Sequence, residues 1–386
     1  MRIRRCAHLL LEPHDVVSVD LAALVRGSMA TRVQPRWLAR AAHQREPVEV
    51  DAEDMRVLGS IGAGTWMECP VGTPDAAIIA GLLEKGLLLS DDPAHRLACQ
   101  GDEQLREGHW WTPMAVAHAH SRWGGVDSVT DMHARGLDTA AGLRRMFGPP
   151  PAAVHARPGH YQGLPLQEQT GFDALLAQRS TCRNFDTARH LPLPLLAQLL
   201  QRTVMAHAQV EVDADAVFLK KNVPSGGGLH ATDVFLLVQR VQDLVPGLYH
   251  YHPVQHALLR LPSPAAADLP ALSRRLLSGQ QWFADAAVLL VLAPRFERSF
   301  WKYRDHSKAY RALVLDTGHI AQAVQTCATE AGLGAFITAA INEADVDAAF
   351  GLDGTGQGAV AVCGVGWRAA VRQTAEFDPP RVPQPA

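Results

Sequence analysis

The segment from residue 179 to residue 185 combines arginine and hydroxyl side chains at a spacing that suits a phosphate group. It reads Arg179-Ser180-Thr181-Cys182-Arg183-Asn184-Phe185. Alternate side chains of an extended chain point the same way, so Arg179, Thr181 and Arg183 can face one dianion. A guanidinium offers a planar pair of donors to phosphate oxygens, and a hydroxyl adds another donor. The alternative is a solvated helix end with arginines near its C-terminus.

A glycine-rich loop stands directly before a predicted strand at residues 233–241. The loop reads Pro224-Ser225-Gly226-Gly227-Gly228. Glycines let the backbone approach a flat ligand closely, and backbone amides together with the Ser225 hydroxyl can bond the edge of a ring. Lys220 and Lys221, just upstream, either serve a phosphate or face water. A flexible loop without a ligand is the alternative.

Two further segments carry weaker signals. Lys302 and Tyr303 are adjacent, and such a pair can share a proton where burial or a neighbouring cation lowers a pKa. A Lys-Tyr dipeptide is otherwise an ordinary feature of proteins. The run Gly332-Leu333-Gly334-Ala335, with Ala339 and Ala340 after it, leaves room for a planar cofactor or indicates close packing.

The order of these segments resembles the nitroreductase superfamily. From about residue 170 to residue 368 the chain carries R-x-[ST]-x-R-x-F, P-S-G-G, P-G-L-Y-H-Y, K-Y, L-D-T-G-H, G-L-G and F-G-L in that order. Within the superfamily the pattern is most similar to the dehydrogenases of peptide maturation. Those flavoenzymes oxidise thiazoline and oxazoline rings to azoles in microcin- and streptolysin-type peptides.

The resemblance implies a homodimer with FMN between its subunits. The FMN phosphate and ribityl chain would be held by Arg179, Ser180, Thr181 and Arg183, with Arg368 as a late phosphate contact. The isoalloxazine ring would be lined by Pro224, Ser225, Gly226, Gly228, Ala339 and Ala340. Lys302 and Tyr303 would abstract the substrate proton while flavin N5 accepts the hydride.

Two departures from the superfamily pattern bear on the chemistry. Ala339 and Ala340 stand where ordinary nitroreductases of this type carry an acidic residue and a glycine, which argues against nicotinamide chemistry. His230 stands where an aromatic residue is expected after the glycine loop.

The leading hypothesis is oxidation of azoline rings in a ribosomally made precursor peptide, alongside a cyclodehydratase or other maturation enzymes. One alternative is a general NAD(P)H-dependent nitro- or quinone-reductase on the same fold, because fold alone does not settle function. A second alternative is a non-catalytic scaffold that binds a leader peptide.

The elements that must position these residues alternate between helices and strands. Helices are predicted at 171–179, 192–206, 266–278, 307–332 and 343–350. Strands are predicted at 233–241, 247–251, 257–261, 286–293, 334–338 and 358–366. Val288 to Leu292 is continuously apolar, as in a sheet covered on both faces. We therefore predict an α+β, nitroreductase-like fold with a central mixed sheet flanked by helices.

The triple proline at residues 149–151 marks the clearest boundary, because prolines cannot lie in a helix interior. We predict an N-terminal domain over 1–148, a linker over 149–168 and a catalytic domain over 169–386. Thr73-Pro74-Asp75 predicts a helix start, Gly86 its end, and residues 87–89 a strand. That pattern is typical of a winged-helix module, which would bind peptide here, and the alternative is an α+β domain of another kind, in which the same pattern is common. His118 and His120 are expected to be structural rather than metal ligands.

Composition narrows the classes of function. The 386 residues carry a net charge of −3 and are 47% hydrophobic, which predicts a globular protein rather than a nucleic-acid binder. No apolar run is long enough to cross a membrane, and the basic N-terminus does not read as a signal peptide. The six cysteines are scattered, so reduced thiols in a cytoplasmic protein are expected.

Overall fold

The structure is a computed structural model that describes residues 1–155 and 157–377. The described helices are α1 (Leu21–Val25), α2 (Ala52–Ser60), α3 (Ala76–Glu84), α4 (Arg96–Glu107), α5 (Thr112–Ser121), α6 (Ser128–Ala134), α7 (Ala140–Phe147), α8 (Gly171–Gln178), α9 (Leu193–Thr203), α10 (Leu269–Leu276), α11 (Gln281–Ala284), α12 (Phe296–Lys302), α13 (Ala309–Glu330) and α14 (Glu343–Phe350). The described strands are β1 (Arg2–Arg5), β2 (Leu9–Val19), β3 (Thr31–Ala41), β4 (Val48–Val50), β5 (Met67–Glu68), β6 (Leu88–Ser90), β7 (Ala208–Asp213), β8 (Ala216–Lys220), β9 (Thr232–Val238), β10 (Gly247–His252), β11 (Ala257–Arg260), β12 (Val288–Pro294), β13 (Gly334–Thr338) and β14 (Ala361–Gly366).

The chain forms two compact units. Unit 1 comprises Met1–Arg122 together with Phe296–Arg311, and unit 2 comprises Trp123–Arg295 and the chain from Ala312 onward. The division therefore falls before the predicted boundary at residue 148. Residues 123–147 belong to unit 2, where the Val126 amide donates to Asn342 Oδ1 at 3.0 Å.

The predicted linker over 149–168 contains no helix or strand among its described residues, and Ala156 lies outside them. The last nine positions of the predicted catalytic domain, 378–386, also lie outside the described residues. The role of the linker and the limits of the catalytic domain stay predictions.

A six-stranded sheet forms the centre of unit 2, with the strand order β11-β10-β9-β12-β14-β13. Each neighbouring pair in this order is antiparallel; Leu290 of β12, for example, lies opposite Leu236 on one side and Cys363 on the other. Parallel pairing occurs at the isolated bridges Thr181–Ala335 and Leu191–Val241. The sheet was predicted to be mixed. Its six strands pair antiparallel, and the parallel pairing among the described residues lies at these two bridges.

Strand β12 is buried on both faces. Val288, Leu290 and Leu292 contribute to one core, which also contains apolar residues of α9 and α13. The alternate side chains of the strand contribute to a second core, which also contains residues of α10, α11 and α14. The period of two in a strand sends successive side chains to opposite faces. The prediction of a sheet covered on both faces is therefore confirmed, and so is the α+β class.

Unit 1 is built on two small antiparallel sheets, with the orders β5-β1-β6 and β2-β3-β4. Its core gathers Ile3 of β1, Leu82 of α3 and residues 87–89. Gly86 follows α3 with φ of 67°, a backbone conformation that favours glycine and ends the helix as predicted. The winged-helix interpretation of this region stays a prediction.

The start of α3 differs from the prediction. Pro74 is not at the first helical position; the helix begins at Ala76, and Asp75 is the residue that precedes it. The Asp75 side chain makes no capping hydrogen bond, because its carboxylate pairs with Arg56 of α2 at 2.5 Å. This ion pair holds the pKa of Asp75 below its ordinary value, chiefly through the hydrogen bond from Arg56.

Two details of unit 2 also differ from the sequence prediction. The helix predicted over 266–278 is a 3₁₀ turn at Ala266–Asp268 followed by α10. The hairpin of β7 and β8 was not predicted, although the sequence of β7 alternates apolar and polar residues; in the structure this strand is exposed along its whole length.

None of the helices within the described part of the chain is both long and apolar enough to cross a bilayer. All six cysteines fall in that part and are free thiols.

Gly334→Ala should destabilise unit 2 by about 1–3 kcal/mol, the usual cost of overpacking a core. A Cβ at Gly334 would lie 2.5 Å from Cys182 Sγ and 2.8 Å from Cys182 Cβ. Urea unfolding of purified protein measures the change. The control is Gly318→Ala on α13, where a Cβ meets nothing within 4 Å and helix propensity should rise. Equal unfolding midpoints for the parent and Gly334→Ala would contradict the close packing described here.

Candidate cofactor and catalytic residues

The predicted phosphate segment begins where α8 ends, and it runs along the edge of the main sheet. Arg179 caps α8, and Thr181 forms a parallel bridge with Ala335 of β13. The buried Cys182 thiol separates Thr181 from Arg183, and burial raises its pKa to about 11, so the thiol stays protonated. Thr181 and Arg183 remain partly accessible on either side of it. This alternation agrees with the extended conformation that the prediction assumed.

The two arginines of the segment have neutral partners. Arg179 Nη1 donates to Gln325 Oε1 of α13 at 3.1 Å. The Arg183 guanidinium lies 5.8 Å from the centre of the Phe283 ring on α11. Among the described residues, no carboxylate pairs with either guanidinium. Both keep donors for an anionic ligand, and their convergence on one dianion stays a prediction because they contact different helices.

Arg368 lies beside this segment although it is distant in sequence. Its Nη2 donates to the Ser180 carbonyl at 2.9 Å and to Ser180 Oγ at 3.2 Å. A bridge between Phe185 and Arg368 fixes the backbone there. The structure thus brings together two of the residues that the resemblance assigns to the FMN phosphate.

Glu376 is a neighbour that the sequence did not reveal. Its buried carboxylate accepts from the Arg183 amide at 2.6 Å, from the Asn184 amide at 3.1 Å and from Arg368 Nη1 at 3.2 Å. Burial alone would raise the pKa of Glu376, but these hydrogen bonds and the nearby guanidinium charges bring it below its ordinary value. Within the described part of the chain, Arg368 therefore already has a carboxylate partner, whereas Arg179 and Arg183 do not.

The glycine loop is held by one buried carboxylate on α13. Asp316 Oδ2 accepts from Ser225 Oγ at 2.5 Å, and Asp316 Oδ1 accepts from the Gly226 amide at 2.9 Å. Ser225 Oγ in turn accepts from the His230 amide at 2.9 Å. The Ser225 hydroxyl, predicted to bond a ring edge, is thus directed to Asp316. Asp316 belongs to the L-D-T-G-H motif, but no role was predicted for it.

The glycines of the loop serve two purposes. A Cβ at Gly226 would lie 3.2 Å from Ala312 Cβ, so the small residue lets the loop approach α13 closely. Gly227 and Gly228 have φ of 65° and 69°, a conformation that other residues rarely adopt. Nothing lies within 4 Å of a Cβ placed at Gly228, so the backbone is open there. An open, glycine-only backbone suits the flat ligand that the sequence predicted.

Lys221 is buried, so the alternative that it faces water is wrong, whereas a phosphate contact stays a prediction. It lines a cavity of about 10 Å³ with Ser225, Asp316 and Thr232. That volume is close to the space one water molecule needs. Lys221 therefore lies close to the glycine loop and to Asp316, the residue whose carboxylate holds that loop.

Ala339 and Ala340 follow the end of β13. Ala339 is exposed. The Ala340 carbonyl accepts from Gln280 Nε2 at 2.7 Å, and the Ala340 amide donates to Thr338 Oγ1 at 3.2 Å. Gln280, another residue that the sequence did not single out, thereby fixes the backbone that would pass the flavin ring.

Lys302 and Tyr303 lie in unit 1, whereas the residues discussed above lie in unit 2. Lys302 is the last residue of α12 and is exposed; Tyr303 is half-buried. Lys302 Nζ lies 5.5 Å from the centre of the Tyr303 ring. The two side chains are therefore near one another, and their catalytic role stays a prediction.

Comparison with known proteins supports the assignment made from the motifs. Residues 176–367 match the profile of the nitroreductase family. Over 171 residues the chain is 29% identical to the protein MJ1384 of Methanocaldococcus jannaschii, which is named as a nitroreductase; the match covers 44% of this chain and 79% of that protein. Over 170 residues it is 30% identical to the trifolitoxin-processing protein TfxB of Rhizobium leguminosarum bv. trifolii, covering 42% of this chain and 44% of TfxB.

A solved structure shares the fold. It is a chain of the E. coli microcin synthetase McbBCD complex with truncated pro-MccB17 bound. The TM-score is 0.50 at 22% identity, and the likeness covers 68% of this chain and 92% of that one. Residues 176–367 thus form a domain of the nitroreductase family.

Proposed function

We propose that the protein is an FMN-dependent dehydrogenase that oxidises azoline rings to azoles in a ribosomally made peptide. The main support for the cofactor is the pair of guanidinium groups of Arg179 and Arg183, which have no carboxylate partner among the described residues and lie within a nitroreductase-family domain. Arg179, Ser180, Thr181, Arg183 and Arg368 supply donors that suit a phosphate. The similarity to TfxB, a protein named for trifolitoxin processing, supports a peptide substrate.

The oxidation removes two hydrogen atoms from the ring, as one proton and one hydride. Bound FMN would supply the two-electron acceptor that this reaction needs. Lys302 and Tyr303, whose side chains lie near one another, take the proton from the ring carbon. Pro224, Ser225, Gly226 and Gly228 form a surface against which a flat ring can lie, as do Ala339 and Ala340.

The second candidate is an NAD(P)H-dependent nitro- or quinone-reductase. The similarity to MJ1384, named as a nitroreductase, favours it. Mixing the purified protein with NADPH under argon discriminates between the two. Rapid bleaching of the flavin absorbance favours the reductase. Bleaching by a heterocyclised peptide, but not by NADPH, favours the dehydrogenase.

The purified protein should be yellow, with about one FMN per subunit, and should be a homodimer at micromolar concentration. The donor set around residues 179–183 motivates the cofactor, and the family resemblance motivates the dimer. The absorbance spectrum with released-flavin chromatography measures the first, and light scattering measures the second. A colourless protein that does not take up added FMN would refute the central proposal. A monomer that retains FMN would refute only the dimer.

Arg183→Ala should weaken FMN binding by about 1.5–3 kcal/mol, the usual contribution of a hydrogen bond to a charged group. The guanidinium is lost, while the backbone amide still donates to Glu376. Fluorescence titration of the apoprotein with FMN gives the dissociation constant. Arg189→Ala is the matched control, because that guanidinium stacks on Trp367 at 3.3 Å and is exposed. Equal affinities in both variants would leave Arg183 without a role in binding.

Lys302→Ala and Tyr303→Phe should each keep the yellow colour and lose most of the oxidation rate. A positioned acid–base group contributes about 10²- to 10⁴-fold to a rate. Tyr303→Phe removes only the hydroxyl, so packing should survive. Mass spectrometry of a heterocyclised peptide over time gives the rate, and absorbance at the flavin band gives cofactor content. Rates within a few-fold of the parent in both variants would place proton abstraction elsewhere.

A further inference from the structure

The segment Phe296–Arg311 lies inside the nitroreductase match in sequence but belongs to unit 1 in the structure. It contains α12, the pair Lys302 and Tyr303, and the first turn of α13. Between α12 and α13 the chain from residue 303 to residue 308 forms neither helix nor strand. The position of the pair therefore depends on what holds the segment at its two ends.

Trp110 holds the end before the pair. Its side chain is fully buried, and its ring centre lies 4.9 Å from that of Phe296 and 4.7 Å from that of Phe300. The contact with Phe300 is edge-to-face, the geometry that aromatic quadrupoles favour. Phe300 lies two positions before Lys302, so Trp110 fixes the last turn of α12.

His118 of α5 holds the end after the pair. Its Nδ1 is 3.0 Å from the hydroxyl of Tyr310, and its ring stacks on Trp110 with centres 5.0 Å apart. Between the two anchors, the Asp305 amide donates to the His109 carbonyl at 3.1 Å. Asp305 has φ of 50°, so the backbone takes a tight, specific turn at that point.

We propose that Trp110 and His118 are positioning residues for the Lys302–Tyr303 pair. The proposal rests on the proposed function of that pair as the proton acceptor. A seven-residue helix has little stability of its own in water, since isolated helices shorter than about 12 residues are marginal. The orientation of α12, and with it that of the pair, is therefore set by the aromatic contacts of Trp110 and by the His118–Tyr310 hydrogen bond.

The test uses two histidines of the same helix. His118→Ala removes the contact with Tyr310, whereas His120→Ala removes a contact of Nε2 with the Ala41 carbonyl, at 3.2 Å, which lies outside residues 296–311. Tyr310→Phe removes the hydroxyl alone and is the mildest probe of the same hydrogen bond. The full-length, FMN-loaded protein is used throughout.

Hydrogen exchange followed by mass spectrometry is the first measurement, because it is independent of activity. His118→Ala should raise the exchange rate of peptides from 296–311 by about tenfold, as expected where local opening becomes easier. Tyr310→Phe should raise it less, and His120→Ala should leave it as in the parent. Unchanged exchange over 296–311 in His118→Ala would overturn the proposal.

Steady-state oxidation of a heterocyclised peptide is the second measurement. His118→Ala should lower kcat by about 10- to 100-fold, since a misplacement near 1 Å can cost that much, with KM within about threefold and flavin content unchanged. The additional effect of Tyr310→Phe should be small in the His118→Ala background, because both remove one interaction. Faster exchange over 296–311 with an unchanged kcat would also overturn the proposal.

Failure of the proposed function is recognised separately, in the parent background. If Lys302→Ala and Tyr303→Phe both oxidise the peptide at the parent rate, the pair is not the proton acceptor. The positioning role then falls with it, even where the exchange data show that Trp110 and His118 hold the segment.

Discussion

Burial of β12 on both faces is the constraint on which the arrangement of unit 2 depends. All seven residues of the strand are buried, and successive side chains enter different cores. Unpaired polar groups are costly in such an interior, so polar chemistry is confined to strand ends and connecting segments. The predicted cofactor residues follow this rule. The segment 179–183 lies at the sheet edge, the glycine loop precedes β9, Ala339 and Ala340 follow β13, and Arg368 follows β14.

Helix α13 links these peripheral segments to the core. Leu313, Val324 and Ala328 are buried on it. The same helix presents Asp316 to the glycine loop and Gln325 to Arg179. Both polar side chains are themselves almost fully buried, so their hydrogen bonds are shielded from water and hold their partners in defined positions. A shift of this one helix would therefore move the glycine loop and the first arginine together.

Local pattern was sufficient to predict most elements of unit 2. The helix at 343–350 and the strand at 334–338 have the predicted bounds, because helix α14 ends at Gly351 in the left-handed conformation and β13 follows glycines. The α13 prediction of 307–332 exceeds the observed Ala309–Glu330 by two residues at each end. Strand β7 was not predicted, although its sequence, AQVEVD, alternates apolar and polar residues with the period of a strand.

The partners within the candidate site were harder to predict than its principal residues. Glu376 contacts Arg183 across 193 positions of sequence, and Asp316 contacts Gly226 across 90. The residues around such a carboxylate do not indicate which distant backbone amide donates a hydrogen bond to it. Asp75, which directly precedes α3, makes no capping hydrogen bond and pairs with Arg56, 19 positions away in the sequence.

The placement of Lys302 and Tyr303 shows why continuity of sequence does not determine which unit a residue belongs to. Residues 296–311 interrupt the chain between β12 and the body of α13, and both flanking stretches belong to unit 2. Yet Phe296, Phe300 and Tyr310 carry large apolar rings, and the fully buried Trp110 of unit 1 packs against all three. Aromatic pairs of this kind each contribute about 0.5–1.5 kcal/mol beyond the area that they bury. Because several such contacts converge on one indole ring, the segment is better stabilised on Trp110 than as a solvated loop. The proposed proton acceptor is therefore ordered by contacts within unit 1.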